Sequence, residues 1–244
     1  MSQWVFKGLR TGIRTTGYPR LQDETPGVSP GLPAGRPLAA GDAAEVIARC
    51  PTGALVRRAD RIAVDPRRCV HCYRCVRGAA DPVHWQAGFA WATRHGERDL
   101  GPPFARSLHI RVVDAGDCGA CLREVKQLDN PYYNLHRLGF FITPTPRQAD
   151  ILLVVGPGTE QTRAALVKTY DAMPQPRLVI AVGTCALTGG IFGPSFACSA
   201  GVGGIVPVDV EVPGQPPPPL AILHALLVAT GRAAPSIAEE SNDE

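Results

Sequence analysis

The sequence predicts an α/β protein, a parallel sheet covered by helices on both faces, preceded by a small cysteine-bearing α+β segment. Three observations carry this. From about residue 105 to 230, apolar runs rich in β-branched residues alternate with helical stretches, the pattern of strands joined by crossover helices. Eight cysteines fall into two groups of four: Cys50, Cys69, Cys72 and Cys75, then Cys118, Cys121, Cys185 and Cys198. Glycine and proline crowd the first forty residues, as in TPGVSPGLPAGRP, and interrupt any regular period there.

Taken in order, residues 1–40 read as an extended arm, with Trp4, Val5, Phe6, Leu9 and Ile13 giving it a weak apolar face. Residues 41–80 form the compact cysteine-bearing segment, and 81–104 read as a connecting loop. The domain from 105 to 230 holds five strand candidates: LHIRVVD (108–114), FFIT (140–143), DILLVVG (150–156), RLVIAVG (177–183) and IVPVDVEV (205–212). Their continuous apolar character, without alternation, is that of strands buried on both faces. Helices fit 120–128, 160–171 and 218–230. Residues 231–244 are polar and acidic, which predicts a disordered tail. GPGTE (156–160) has neither the spacing nor the lysine of a phosphate-binding loop and reads as a strand–helix turn; GVGG (201–204) is equally unspecific.

Composition narrows the function classes. The chain has 244 residues, 45% hydrophobic and 19% charged, with 6% aromatic, so aliphatic side chains must build the core. No run approaches the ~18–20 apolar residues of a membrane span. The start, MSQWVFKGLRTGIRTTGYPR, carries charges every few residues and no apolar signal core, so no secretory leader is expected. Residues 1–80 hold 13 Lys/Arg against 6 Asp/Glu, a balance of +7, whereas 81–244 hold 12 against 16, a balance of −4. The arginines are scattered, with no stripe of bases and stacking aromatics, so nucleic acid is not an expected partner. No Ser/His/Asp constellation is readable among the six dispersed histidines.

Without an export signal, clustered cysteines point to metal or redox chemistry rather than disulfides. Bacterial-type ferredoxin runs read C-x2-C-x2-C-x3-C-P, the fourth cysteine serving the other run's cluster. CVHCYRC supplies Cys69, Cys72 and Cys75, and CPTGAL supplies Cys50 with the C-P ending of an earlier run. Counting back from Cys50 puts the missing ligands at Ala40, Ala43 and Val46; counting forward from Cys75 puts the fourth at Ala79. All four ligands of one cluster are thus gone and all four of the other remain. The segment resembles a ferredoxin-type domain reduced to a single [4Fe–4S] cluster. Four thiolates would also suit zinc, but zinc sites usually pair two C-x2-C knuckles. His71, between two of these cysteines, is expected to face solvent.

The second group lies on the α/β domain. Cys118 and Cys121, in GDCGAC, follow the strand ending near Asp114, and Cys185, in GTCALTGG, follows RLVIAVG. Ligands of open parallel sheets bind beyond the carboxyl ends of the strands, where such loops converge. Asp114, Asp117 and Glu124 flank these loops; Asp117 suits helix capping.

GDCGACLREV, TPRQADILLVVGPGT (145–159), YDAMPQPRLVIAVGTCALTGGIF (170–192) and IVPVDVEVPGQPPPP (205–219) resemble the 20-kDa iron–sulfur subunit of respiratory complex I and the small subunit of energy-converting [NiFe] hydrogenases. The Cys-x2-Cys pair is similar to the hydrogenase branch. WVFKGLRTGIRTTGYPR resembles the leader of ferredoxin subunits in formate hydrogenlyase-type complexes, so the chain reads as a fusion of the two. The resemblance implies a flavodoxin-like domain with an iron–sulfur cluster on Cys118, Cys121 and Cys185. Where the family has cysteine in its P-G-C-P-P loop, this chain has Gln215, a hard, neutral donor poorly suited to iron. Three outcomes stay open: Cys198 is the fourth ligand, the site holds a three-cysteine [3Fe–4S] or [4Fe–4S] cluster, or the cluster is lost. The implied function is electron transfer between a ferredoxin-type cluster and a large-subunit active site in a membrane-associated complex. The chain itself has nothing to bind nickel. The partners implied are a hydrogenase or complex I-type large subunit, membrane subunits, and quinone or an electron-carrier protein. The implied location is cytoplasmic, peripheral on the inner membrane. The alternatives are a structural subunit with a degenerate second cluster and a quinone-reducing subunit without hydrogenase activity.

Overall fold

The computed structural model describes residues 3–21, 23, 29–78, 81–96, 98, 100, 101, 104 and 106–236. The chain opens with helix α1 (Gln3–Thr11), not an extended arm; it buries none of its residues, and Trp4, Phe6 and Leu9 are exposed. Strand β1 (Leu32–Gly35) follows, then α2 (Ala40–Ala48) and the hairpin β2 (Leu55–Arg58) and β3 (Arg61–Val64). The stretch expected to be a plain connection carries β4 (Val83–Gln86), which pairs antiparallel with β1. Ala43, Val46, Leu55, Ile62 and Val83 form the small core of this segment, against which Cys50 and Cys75 pack. Two of the positions where a second ferredoxin cluster would have its ligands, Ala43 and Val46, are therefore core, 1% and 2% exposed. Ala79 lies outside the described residues.

The main sheet has six strands: β5 (Thr93–Arg94), β6 (Leu108–Asp114), β7 (Phe140–Ile142), β8 (Ile151–Val155), β9 (Leu178–Val182) and β10 (Val210–Val212). Their spatial order is β5-β10-β9-β8-β6-β7, with all neighbours parallel except the β5–β10 pair. Numbering only the parallel strands along the chain gives the order 2-1-3-4-5, which is that of a flavodoxin-like sheet. The apolar runs are buried on both sides, as their lack of alternation predicts. Ile151, Leu153, Val155, Leu178, Ile180 and Val182 face one core with helices α3 (Ala120–Gln127) and α6 (Pro219–Ala229). Leu152, Val154, Val179 and Ala181 face the other, with Leu166 of helix α4 (Glu160–Asp171) and Ala186 and Leu187 of the short α5 (Thr184–Thr188).

The strand expected over 205–212 is shorter. Only Val210–Val212 joins the sheet; before it, a 3-10 turn at Val202–Gly204 takes the amides of Ile205 and Val206 onto the carbonyl of Val202. Pro207 has no N–H for a ladder, and Val202 and Val206 are buried beneath the sheet. Asp209 then docks the chain on β9: its N–H donates to Val179 O at 2.9 Å and its carboxylate accepts from Val179 N–H at 2.7 Å. Of the tail, residues 231–236 are described and packed: Arg232 donates to Leu138 O at 2.7 Å and Ser236 N–H to Ala92 O at 2.7 Å. Residues 237–244 lie outside the described residues. No helix among the described residues is long and apolar enough to cross a membrane.

Candidate metal centres

The four cysteines of the first group line one pocket with Thr52, Ala54, Leu55, Val64 and Trp85. Two features of the local backbone bring them there. Cys50 follows the end of α2, and Thr52 Oγ1 ties that turn to the Cys69 loop by donating to Arg68 O at 2.7 Å. In the loop itself His71 and Tyr73 hold left-handed conformations, φ +50° and +57°. Left-handed residues among turns point successive amides to one side and make anion-binding concavities, used at many iron–sulfur sites. The amide of His71 accordingly bonds the Cys69 sulfur, and Ala54 N–H donates to Cys50 Sγ at 3.3 Å. Burial pushes the Cys69 thiol up to about 11, with smaller contributions from Cys75, Cys50 and Cys72 nearby; burial also raises Cys75. A buried thiol keeps its proton until a metal cation replaces it, so a metal held in this pocket would displace protons.

His71 does not face solvent. Its ring stacks on Trp85, centroids 5.4 Å apart, and on Trp91 at 6.1 Å, and burial lowers its pKa. The aromatic partners lie in β4 and just before β5, in the stretch expected to be a plain connection, so nothing local in CVHCYRC signals the stack.

The second group gathers at the carboxyl ends of β6, β9 and β10. Cys121 and Cys185 are buried, Cys198 is half-buried and Cys118 is exposed. Asp117 caps α3, as its place in the sequence predicts: its Oδ2 accepts from Gly119 N–H at 2.9 Å and Leu122 N–H at 3.1 Å. Its Oδ1 is buried without a hydrogen-bond partner among the described residues, and the carboxylate acts on Cys121. Burial, followed by Asp117, Cys185 and Cys118, pushes the Cys121 thiol strongly up. Cys185 is also raised by burial, opposed by a hydrogen bond from Gln215 and reinforced by Cys118, Asp117 and Cys198. Gln215 points its amide at this thiol, with Nε2 at 3.4 Å from Cys185 Sγ and Oε1 at 3.5 Å. Glu124, on α3, is raised by burial alone.

Glycine makes the room. At Gly183 (φ +88°) a Cβ would lie 2.5 Å from Cys121 Sγ, and at Gly190 (φ +59°) one would lie 2.8 Å from Cys185 Sγ. Soft thiols and backbone stripped of side chains together suit an iron group with sulfur ligation. No three His, Cys, Asp or Glu side chains among the described residues converge tightly enough to hold a single metal ion.

The two groups are joined by contacts invisible in the sequence. Thr184, buried and adjacent to Cys185, donates its hydroxyl to the Cys69 carbonyl at 3.1 Å, with Gly214 O at 3.2 Å. Arg67 pairs with Glu211 of β10 (Nε to Oε2, 2.7 Å), and His95 Nε2 reaches the same oxygen at 3.1 Å.

Comparison with known proteins places the second group inside a recognised family. The model of the NADH ubiquinone oxidoreductase 20 kDa subunit family matches residues 118–229, from the first cysteine of that group to the last residue of α6. The Pyrococcus furiosus protein named probable membrane-bound hydrogenase subunit mbhJ is 40% identical over 135 residues, 55% of this chain and 81% of that protein. Formate hydrogenlyase subunit 7 of Escherichia coli is 37% identical over 126 residues, 52% of this chain but 49% of that protein. Among solved structures, a chain of the membrane-bound sulfane sulfur reductase, an archaeal respiratory membrane complex, aligns at a TM-score of 0.46 with 30% identity, covering 54% of this chain and 75% of that one. The family match leaves out Cys50, Cys69, Cys72 and Cys75. Over residues 118–229 the chain belongs to the NADH ubiquinone oxidoreductase 20 kDa subunit family.

Proposed function

We propose that the chain is an iron–sulfur electron-transfer subunit of a complex I-like or [NiFe]-hydrogenase-like oxidoreductase, with two clusters in one polypeptide. The observation that carries this is the pair of thiol pockets joined through Thr184 and Cys69. Cys50, Cys69, Cys72 and Cys75 would hold a [4Fe–4S] cluster; Cys118, Cys121 and Cys185 would hold a second cluster, [4Fe–4S] or [3Fe–4S]. When bound, such clusters accept and pass on single electrons. The residues around them exclude water, donate N–H groups to sulfur and bury the thiols so that a cation is needed to hold them as thiolates. The triple C-x2-C-x2-C spacing closed by Cys50, all four lining one pocket, supports a cluster there over zinc, whose sites usually pair two C-x2-C knuckles.

The partner is a large subunit docking beside the second group. Ile191, Phe192 and Phe196, in the loop after α5, are 59%, 61% and 97% exposed, an apolar surface next to Cys185 and Cys198. Association with the membrane runs through partner subunits, and the large-subunit site is either a nickel–iron centre or a quinone pocket. Gln215 favours a second reading, in which the second cluster has decayed and the domain remains as a docking scaffold.

Iron and acid-labile sulfide counts on anaerobically purified protein separate the two readings. The relay gives about seven or eight irons per chain, from one four-iron cluster and a second of three or four irons, and the scaffold about four. A colourless protein free of sulfide overturns both. Cys198→Ser identifies the fourth ligand: its electron paramagnetic resonance (EPR) signal is altered if Cys198 binds iron, and matches wild type if the cluster rests on three cysteines.

A further inference from the structure

The two pockets are not merely neighbours, because one side chain ties their ligand loops together. Thr184 is fully buried, and its own N–H donates to Gly214 O at 2.8 Å, which binds it to the loop carrying Gln215. That carbonyl is thus served by the peptide, and the hydroxyl proton is available to the Cys69 carbonyl at 3.1 Å. No backbone N–H among the described residues reaches the Cys69 carbonyl. Between Cys69 Sγ and Cys185 Sγ the route therefore runs through covalent bonds of the two cysteines and Thr184 and a single hydrogen bond. A second clamp lies alongside: Thr188 Oγ1 sits 3.4 Å from Arg67 O, and Arg67 holds Glu211.

We propose that Thr184 is a positioning residue: its hydroxyl sets the separation and mutual orientation of the two cysteine pockets. This rests on the two-cluster reading above. A hydroxyl at this position, rather than any side chain of its size, is what the geometry requires. Valine would fill the same volume and leave the part-buried Cys69 carbonyl without this partner. Serine would keep the donor.

The test uses the full chain, purified anaerobically, as wild type, Thr184→Val and Thr184→Ser. EPR of the fully reduced protein reads the magnetic interaction between the two centres, and hydrogen exchange reads the amides within 66–72, where Pro66 has none. Expected is an altered spin–spin interaction in Thr184→Val at unchanged iron content, with exchange over 66–72 faster by roughly fivefold, the size of one lost hydrogen bond. Thr184→Ser is expected to match wild type on both. A Thr184→Val protein with wild-type coupling and wild-type exchange overturns the proposal. If wild type carries only about four irons and shows no second signal, the relay reading falls instead. Exchange alone then decides the positioning role: faster over 66–72 in Thr184→Val supports it, and unchanged overturns it.

Discussion

Gly183→Ala should leave the first cysteine group loaded and empty the second, lowering iron to about half of the wild-type content. The reason is steric and local. Gly183 sits between β9 and α5 at φ +88° and ψ 152°, a region essentially restricted to glycine that costs an alanine about 1–3 kcal/mol. Its Cβ would lie 2.5 Å from Cys121 Sγ, a clash with the loop that carries this cysteine, and in ordinary contact with Gly214 O at 3.4 Å. Cys121 has no slack to yield, being fully buried on α3. Iron and sulfide counts with EPR on the purified variant measure the loss. A Gly183→Ala protein with full iron would show that the Cys121 loop yields to the added methyl group and would overturn this prediction.

The second large effect is on stability. Asp209 is 2% exposed, accepts the Val179 N–H at 2.7 Å and faces Arg98 Nε across 2.6 Å, a close pair poorly aligned for an N–H···O bond. Asp209→Ala leaves the buried Val179 amide unpartnered, while Arg98, 42% exposed, keeps Tyr170 OH and Pro207 O, so the change should destabilise the protein by about 1–3 kcal/mol. For a chain of this length that lowers Tm by about 2–12 °C. Asp209→Asn keeps an acceptor and should lose less than half as much. The pH dependence has a definite sign. Burial raises this carboxyl above its ordinary value of 3.8, against the Val179 amide and Arg98, which lower it. The folded state therefore binds the proton more tightly than the unfolded chain. This group's contribution is largest below pH 3.8 and is lost as pH rises through the raised folded value. In Asp209→Asn that slope disappears, which thermal melts across acidic pH would show.

Much of the sheet is legible in the sequence because its physics is local. ILLVV and LVIAV are continuous apolar runs, which only a strand buried on both faces would tolerate, and the helices between them begin and end within a residue or two of expectation. The gathering of cysteines is legible too, since spacing in the first group and strand-end placement in the second are properties of sequence. What stays hidden is whatever depends on distant partners. Two-residue β5 has no period to detect and exists because it pairs with β10, more than a hundred residues on. His71 is buried by tryptophans from the supposed connection. Ile205 and Val206 look like strand residues, yet they are turned under the sheet ahead of Pro207. Thr184 and Cys69, 115 positions apart, meet only after both parts have folded.

β5 has a further consequence. It closes the open edge of β10, and the residues around it are sewn in as well: Ala92 N–H donates to His224 Nδ1 at 3.2 Å and His95 N–H to Asp209 O at 2.7 Å. The bridge between the halves is thus also the selvedge of the larger one. Trimming the gene at residue 105 to obtain a tidy C-terminal fragment would expose raw strand, a standing invitation to aggregate.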